Sequence, residues 1–492
     1  MSRQPSPSGE DAGRRSAASA LILLVGALAL TRLLAAAFIP LTEDEAYYRL
    51  WAQQPGLGYY DHPPMIAWWI AAGVRLAGDS ALGVRLLPVL SSLMTTAVVV
   101  DLGRRMAGER AGLTAALLYN ATLTVGVGAL LAIPDVPASL FWSLTLWAMV
   151  RAVQDDDRWW LAAGAAAGLA CLSKYSALFL APGVILWLAL TEGGRKRLAT
   201  PWPWLAAAVA AAIFGANVVW NAEHHWLTFA KQFGRVSPGR WAPRYLGEFL
   251  GAQLVLLNPA VAVLAALGAA KAVRARAAAT IPLMAAATSA GFVAYLLLHS
   301  LHDRVQAHWP APLYPAAALL AAYALEGASG WRAAAGRWAP AALGATTLAL
   351  AYMALPIGLM SKGDPAAQLR GWPQFAAGVE ALRAGQGAAW VGTMSYGVNA
   401  QLQAERRIAA PVLQVSERDR YLDMPDAADL GRPGLVVDRL RRLDPAKLGA
   451  CFASVGPVQP VYRGSPEDPD SHYGAVLVSG PRFDLKKAGC PD

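Results

Sequence analysis

The run AASALILLVGALALTRLLAAAFIP, residues 17–40, is long enough to cross a lipid bilayer, and it decides the class of the fold. About 20 apolar residues span the hydrocarbon core as a helix, because backbone groups in lipid must hydrogen-bond within their own segment. The whole chain shows the same character. Of its 492 residues, 56% are hydrophobic and only 15% are charged, and the mean hydropathy is +0.35. Soluble domains carry about 25% charged residues, so the sequence predicts a polytopic α-helical membrane protein.

The apolar runs predict about eleven transmembrane helices. They lie at about 17–40, 81–102, 111–132, 137–153, 159–173, 175–191, 202–221, 246–269, 278–299, 310–326 and 339–359. Residues 1–16 are polar and are expected to form a disordered cytoplasmic tail. The first run is longer than the apolar core of a signal peptide and no small-residue cleavage site follows it, so we expect a retained helix.

Basic residues gather in alternate loops, which predicts the orientation of the chain in the membrane. If the N-terminus is cytoplasmic, every inside loop is basic; these residues are Arg104, Arg105, Arg110, Arg151, Arg158, Arg195, Lys196, Arg197, Lys271, Arg274, Arg276, Arg332 and Arg337. The net charge of +9 therefore reflects topology, and no motif indicates a nucleic-acid partner. We expect a multi-pass protein of the bacterial inner membrane.

The composition changes after the last apolar run. Residues 17–361 are expected to form the membrane domain and residues 362–492 a small periplasmic α/β domain. Its β-type runs are AAWVGTM, PGLVVDRL and YGAVLVSG, and its helix-like stretches are PQFAAGVEALRAG and DPAKLGACFASV. Cys451 and Cys490 lie in this region, and the sequence leaves open whether they form a disulfide.

The first outer loop, residues 41–80, carries the densest set of chemical groups. It contains LTEDEAYYRLWAQQPGLGYYDHPPMIAWW, residues 41–69, with three consecutive acids at Glu43, Asp44 and Glu45. Ionisable groups at the edge of a membrane often mark a functional site. Acids at the start of a short interfacial helix are an equally good explanation from position alone. The later Asp61-His62 pair precedes two prolines, which indicates at least a rigid turn.

Three further polar positions lie at the same predicted face. Asp135, in IPDVP, is either a helix cap or half of a paired-carboxylate site with Asp44. Lys174 either reaches to the membrane interface or holds an anionic headgroup. Arg304 and His308, with His302, lie at the outer end of a span, and a planar guanidinium suits phosphate.

Taken together, these segments resemble the GT-C glycosyltransferases, and most closely the family 39/83 branch. That branch includes the protein O-mannosyltransferases and the lipid A aminoarabinose transferase. The resemblance covers about residues 40–375 and rests on DEAYY at 44–48, YYDHPP at 59–64, Pro134-Asp135, LSKY at 172–175, HWPAP at 308–312, Asp364-Pro365 and Gly371-Trp372.

The resemblance implies an inverting transfer of a sugar from a polyprenyl-phosphate donor on the outer face of the membrane. Asp44 matches the catalytic acid, whose role is general base, and Asp135 matches the acid of the second outer loop. Glu45 is expected to assist Asp44 or to be structural. The expected donor and substrate contacts are Tyr60, Asp61, His62, Lys174, Arg304 and His308.

Position 62 departs from the lipid A branch. A Glu-Lys pair precedes the prolines in that branch, whereas Asp61 and His62 precede them here. A histidine is only partly cationic at neutral pH. The phosphate charge is therefore assigned to Lys174, Arg304 or an arginine of residues 231–244. The acceptor stays open among lipid, glycan and protein, with membrane lipids as further partners.

No dedicated metal-binding spacing is present. A divalent metal ion held by Asp44, His62 and Asp135 stays open as a cofactor. Two other functional classes compete with the transferase. A transporter or lipid flippase would show polar residues and helix breaks in matched halves of the membrane domain, whereas the predicted spans consist mainly of Ala, Leu and Val. A non-catalytic assembly protein would tolerate the loss of Asp44.

Overall fold

The computed structural model describes residues 7–234, 240–356, 358, 364, 366–422, 424, 428–467 and 471–491. The chain forms two compact units. The first contains the residues up to Ala37 together with His62–Leu350, and the second contains Phe38–Asp61 together with Ala351–Asp492. Half of the first outer loop thus belongs to the same unit as the C-terminal region.

The first unit consists of helices. Helix α2 is numbered with them in chain order but lies in the second unit. In chain order they are α1 Pro7–Phe38, α2 Glu43–Gln53, α3 Met65–Ala77, α4 Ala81–Ala107, α5 Glu109–Asn120, α6 Leu123–Gly128, α7 Asp135–Gln154, α8 Trp159–Ser173, α9 Leu180–Leu190, α10 Glu192–Leu198, α11 Trp202–Glu223, α12 Leu227–Gly234, α13 Arg244–Leu256, α14 Pro259–Ala275, α15 Thr280–His299, α16 Tyr314–Leu325, α17 Gly330–Trp338 and α18 Ala342–Met353. Helix α1 begins at Pro7, inside the segment expected to be a tail; residues 1–6 lie outside the described residues.

Within the described residues, four helices are long and apolar enough to cross a membrane: α4, α7, α11 and α15. The number rises to seven if each of three bent helix pairs counts as one span. The chain is therefore mainly helical, with four to seven helices that suit a membrane by length and composition, while the number eleven stays a prediction.

Two predicted runs are interrupted in the structure. Residues 246–269 were expected to form one helix, but Asn258 separates α13 from α14, and the two helices meet at 104°. Pro259 disfavours a helical conformation in the residue before it, and Asn258 has a φ of 73° while its side chain caps α14. Run 111–132 divides into α5, which ends at Asn120, and α6, which Thr122 caps with its side chain.

Small residues allow the helices of the first unit to approach closely, as is common in membrane bundles. A Cβ on Gly164 would collide with the backbone carbonyl of Ala206, which brings α8 against α11. A polar link is also buried here. Arg32 is 1% exposed and donates to Ser92 Oγ at 3.0 Å and to Asn120 Oδ1 at 2.8 Å. These bonds join α1 to α4 and α5.

The second unit contains a mixed sheet. Its strands are β1 Trp390–Thr393, β2 Val412–Gln414, β3 Gly434–Arg439, β4 Phe452–Val455, β5 Gln459–Tyr462 and β6 His472–Pro481, and its helices besides α2 are α19 Trp372–Gly385, α20 Tyr396–Glu405 and α21 Pro445–Cys451. The order is β2-β1-β3-β6-β4, with β5 also paired to β6. Strand β1 is parallel to β2 and β3, whereas β6 is antiparallel to its neighbours.

Alternating side chains bury both faces of this sheet, as the period of a strand requires. One face packs on α19 and α20 through Val391, Leu435, Val437, Phe375 and Val398. The opposite face contains Trp390, Val436, Val476 and Phe452. The predicted small sheet domain in the C-terminal region is confirmed.

One predicted helix of this unit is wrong in its second half. The stretch DPAKLGACFASV is helical only to Cys451, and FASV forms strand β4 with Phe452 fully buried. Pairing with β6 satisfies the backbone of FASV and outweighs its local helical pattern. Cys451 and Cys490 form a disulfide with a Cα–Cα distance of 5.9 Å, which settles the pairing that the sequence left open.

Candidate active site

Helix α2 presents the three consecutive acids of the first outer loop. Thr42 caps the helix, and Glu45 Oε2 accepts hydrogen bonds from the Thr42 backbone N–H at 2.9 Å and from its hydroxyl at 3.1 Å. This reciprocal capping box accounts for Glu45, which is fully buried. A role of Glu45 in chemistry beyond capping stays a prediction.

Asp44 lies one residue earlier on α2 and is exposed. Its Oδ1 accepts a hydrogen bond from the Tyr396 hydroxyl at 2.9 Å. Among the described residues, Asp44 makes no ion pair. The carboxylate is thus held by a neutral donor and remains accessible, which is what a proton acceptor requires.

The surroundings raise the pKa of Asp44 above its ordinary value. Desolvation by the protein is the largest cause, and the negative charges of Glu43, Asp61 and Glu45 add to it, while the hydrogen bond from Tyr396 acts in the opposite direction. The side chain of Asp44 is exposed to solvent, yet protein atoms lie close enough around it to displace much of its surrounding water.

Arg420 contacts several polar and aromatic side chains of the second unit. Its guanidinium forms an ion pair with Asp61 and another with Glu417 at 2.9 Å. It also lies 4.4 Å from the ring centre of Tyr396 and 5.4 Å from that of Tyr60. Tyr60 and Asp61, both predicted contacts, therefore share one cation. The ion pairs and the aromatic rings fix the guanidinium in place.

Sequence reasoning missed Tyr396 and Arg420. The first is 352 residues from Asp44 and the second 359 residues from Asp61. No motif surrounds either residue. Their only signal is the tertiary contact between α2 and the C-terminal region.

A second cluster lies in the first unit, at the beginning of α7. Lys174 Nζ contacts Asp135 Oδ1 at 2.6 Å, and both side chains are largely buried, with exposed fractions of 13% and 6%. His308 Nε2 lies 3.9 Å from Asp135 Oδ2. The half-buried His62 is within electrostatic range of the same carboxylate. Three predicted site residues, Lys174, His308 and His62, thus converge around Asp135.

His308 and Arg304 differ in what they offer to an anion. Desolvation is the largest cause of the lowered pKa of His308, although part of its side chain remains accessible, so its imidazole is mainly neutral at neutral pH. Arg304 pairs with Glu248 at 2.9 Å, and its side chain is 68% exposed. Lys174 is therefore the predicted cation that lies deepest in the protein.

Within the described residues, no group of three or more His, Cys, Asp or Glu side chains is arranged to hold a metal ion. The candidates Asp44, His62 and Asp135 are divided between the two units. A divalent ion stays a prediction.

Sequence comparison points to one class of enzyme. Residues 61–220 match the dolichyl-phosphate-mannose-protein mannosyltransferase family. The lipid A galacturonosyltransferase RgtD of Rhizobium johnstonii is 34% identical over 221 residues, which cover 40% of this chain and 46% of that protein. The undecaprenyl phosphate-alpha-4-amino-4-deoxy-L-arabinose arabinosyl transferase 1 of Pseudomonas fluorescens is 31% identical over 137 residues, 26% of this chain and 25% of that protein. The chain thus spans less than half the length of these curated relatives.

Solved structures extend the likeness in fold. ArnT from Cupriavidus metallidurans in the apo state superposes with a TM-score of 0.67 at 17% identity, covering 95% of this chain and 100% of that one. The same protein bound to undecaprenyl phosphate gives a TM-score of 0.62 at 16% identity, covering 94% and 100%. The resemblance to the GT-C glycosyltransferases is thereby confirmed, in sequence over residues 61–220 and in fold over nearly the whole chain.

Proposed function

We propose that this chain is an inverting glycosyltransferase that moves a sugar from a polyprenyl-phosphate donor to an acceptor hydroxyl. The observation that carries the proposal is Asp44: an accessible carboxylate without an ion pair among the described residues, held on one oxygen by a tyrosine hydroxyl. Its raised pKa makes it a stronger base than an ordinary aspartate. The position also matches the catalytic acid that the sequence resemblance implies.

The reaction needs one base and one leaving group. Asp44 takes the proton of the acceptor hydroxyl as that oxygen bonds to the anomeric carbon of the sugar. The bond from the anomeric carbon to the donor phosphate breaks on the opposite face, and polyprenyl phosphate leaves with the electron pair. Attack opposite the leaving group inverts the anomeric configuration. The developing charge of the leaving phosphate needs a cation near it.

Lys174 is the cation that we assign to the donor phosphate. Asp135 fixes it at 2.6 Å, and a buried ammonium interacts more strongly with an anion than an exposed one does. His62 and His308 add imidazole nitrogens near Asp135, and Tyr60, Asp61 and Arg304 complete the set of predicted contacts. The relatives support this donor class, since one is named an undecaprenyl phosphate sugar transferase and ArnT is known with undecaprenyl phosphate bound.

For the acceptor we propose a lipid of the lipid A class, because the relative RgtD is a lipid A galacturonosyltransferase. The second unit is assigned to the periplasm of a bacterial inner-membrane protein. The disulfide between Cys451 and Cys490 supports an oxidising compartment. The basic loops of the first unit support a cytoplasmic N-terminus.

The test is a transfer assay with purified protein in proteoliposomes. A panel of undecaprenyl-phosphate sugars would be offered with lipid A, and the product's anomeric configuration would be read by NMR. The variant Asp44→Asn keeps the size of the side chain and removes its basicity, so its turnover is expected to fall by about 10²- to 10⁴-fold. Asp484→Asn makes the same chemical change at an exposed position and should retain activity.

Two results would contradict the proposal. Turnover by Asp44→Asn at the wild-type rate would show that Asp44 is not the base. No transfer by the wild type with any donor, combined with movement of undecaprenyl-phosphate sugars across the bilayer, would favour the transporter instead.

A further inference from the structure

The loop between β1 and α20 is fixed by a buried carboxylate. Asp438 is fully buried, and its Oδ2 accepts hydrogen bonds from the backbone N–H groups of Met394 at 2.9 Å and Ser395 at 2.6 Å. Ser395 in turn caps α20 with its side chain. Tyr396 is the first residue of that helix, so its backbone position is determined by two independent contacts.

The Tyr396 ring is also held in one orientation. The guanidinium of Arg420 lies 4.4 Å from its centre, and the ring of Tyr47 packs at a centroid distance of 4.9 Å. A tyrosine has only two side-chain torsions to fix. Its hydroxyl therefore points at Asp44 without a large loss of conformational entropy on forming the bond.

The beginning of α2 is anchored to the same region of the second unit. Gln401 on α20 donates to the carbonyl of Leu41 at 2.8 Å, and Arg439 pairs with Glu43 at 2.8 Å. Gly397 leaves room for this approach, because a Cβ there would collide with the Glu43 carboxylate. Contacts that fix α20 and contacts that fix the beginning of α2 therefore both position the hydrogen bond between Tyr396 and Asp44.

We propose that Tyr396 is a positioning residue of the transfer reaction: it donates its hydroxyl hydrogen to Oδ1 of Asp44 and directs Oδ2 toward the acceptor. Rotation of a carboxylate about its terminal torsion is nearly unrestrained without such a bond. Tyr396 keeps its proton throughout the reaction, while the acceptor's proton passes to Oδ2. The inference rests on the proposed function, in which Asp44 is the base.

The role has a consequence for the pH dependence of the rate. Asp44 is faced by Tyr396 from α20, by Asp61 from the loop after α2, and by Glu43 and Glu45 on its own helix, with Arg420 next to Tyr396. The tyrosine bond lowers the pKa of Asp44 against the upward effect of desolvation and of the other acids. The base works deprotonated, so the rate falls as the pH drops through this pKa. Removing the bond should move that fall to higher pH.

The experiment compares kcat and KM of the wild type and Tyr396→Phe across the acidic range. The variant is expected to lose about tenfold in kcat, to keep KM for the donor within about twofold, and to show its acidic limb at higher pH. Tyr462→Phe changes a tyrosine on β5 of the same unit and should match the wild type. A purely structural role of Tyr396 would reduce the amount of folded protein and leave the acidic limb in place.

A second substitution keeps the test independent of folding. Replacement of Tyr396 by 3-fluorotyrosine preserves its shape and strengthens the hydroxyl as a donor, so the acidic limb should move to lower pH. Opposite shifts in the two proteins support the inference, and unchanged acidic limbs in both overturn it. Asp44→Asn, assayed in parallel, separates the cases: an active Asp44→Asn rejects the base itself, whereas an inactive one with unshifted Tyr396 variants rejects only the positioning role.

Discussion

Asp44 and Asp135 both lie in the first turn of a helix, yet the protein holds them in opposite ways. Asp44 is exposed and hydrogen-bonded to a neutral hydroxyl. Asp135 is buried and contacts the ammonium of Lys174 at 2.6 Å. An ion pair stabilises the charged form of a carboxylate and makes it a poor proton acceptor. The comparison supports our proposal that Asp44 accepts the proton, and it leads us to propose that Asp135 positions Lys174.

The largest stability effect is expected at Asp135. Asp135→Asn leaves the ammonium of Lys174 buried without its partner, which costs about 3–5 kcal/mol for a buried pair. Thermal unfolding in detergent should show a large decrease in Tm. The control Glu192→Gln breaks an exposed pair with Lys196 and should leave Tm unchanged.

The double variant Asp135→Asn/Lys174→Gln sharpens this prediction. It removes the charge as well as the partner, so part of the stability should return. A loss in the double variant equal to the sum of the losses in Asp135→Asn and Lys174→Gln alone would show that the pair does not couple.

The disulfide is expected to matter for the unit that carries Asp44. Cys451 and Cys490 are 39 residues apart, and closing a loop of that length stabilises a protein by about 3–4 kcal/mol. Cys451→Ala/Cys490→Ala should therefore unfold at lower temperature, and reductant should have no further effect on it. If reductant lowers the Tm of the wild type and of the double variant equally, the disulfide is not the cause.

The smallest effect is expected at Arg304. Its pair with Glu248 is largely exposed, and exposed pairs contribute about 0–1 kcal/mol. Arg304→Gln should keep Tm, and KM for the donor should rise by less than about threefold. A larger rise in KM would place Arg304 on the donor phosphate alongside Lys174.

The sequence predicted those features that depend on local pattern. Apolar runs identified the helical class, and short β-type runs identified strands β1, β3 and β6. The helix breaks at Thr122 and Asn258 were not predicted, because each depends on a single capping side chain within an apolar run. Strand β5 was missed because it is short and contains Pro460.

The site was predicted only in part, for a related reason. Asp135 and Lys174 are 39 residues apart and lie in recognisable motifs. Tyr396 and Arg420 are held near α2 by tertiary packing alone, through contacts more than 350 residues apart in the chain. Neither the residue types nor their spacing in the sequence indicates such contacts.

The most direct test of the account is a single-turnover measurement on Asp44→Asn and Asp135→Asn, each folded and saturated with donor. We expect Asp44→Asn to slow the chemical step by about 10²- to 10⁴-fold, while Asp135→Asn should act mainly through stability and donor affinity and keep a faster chemical step. A chemical step in Asp44→Asn as fast as that of the wild type, or a greater loss in Asp135→Asn, would contradict it.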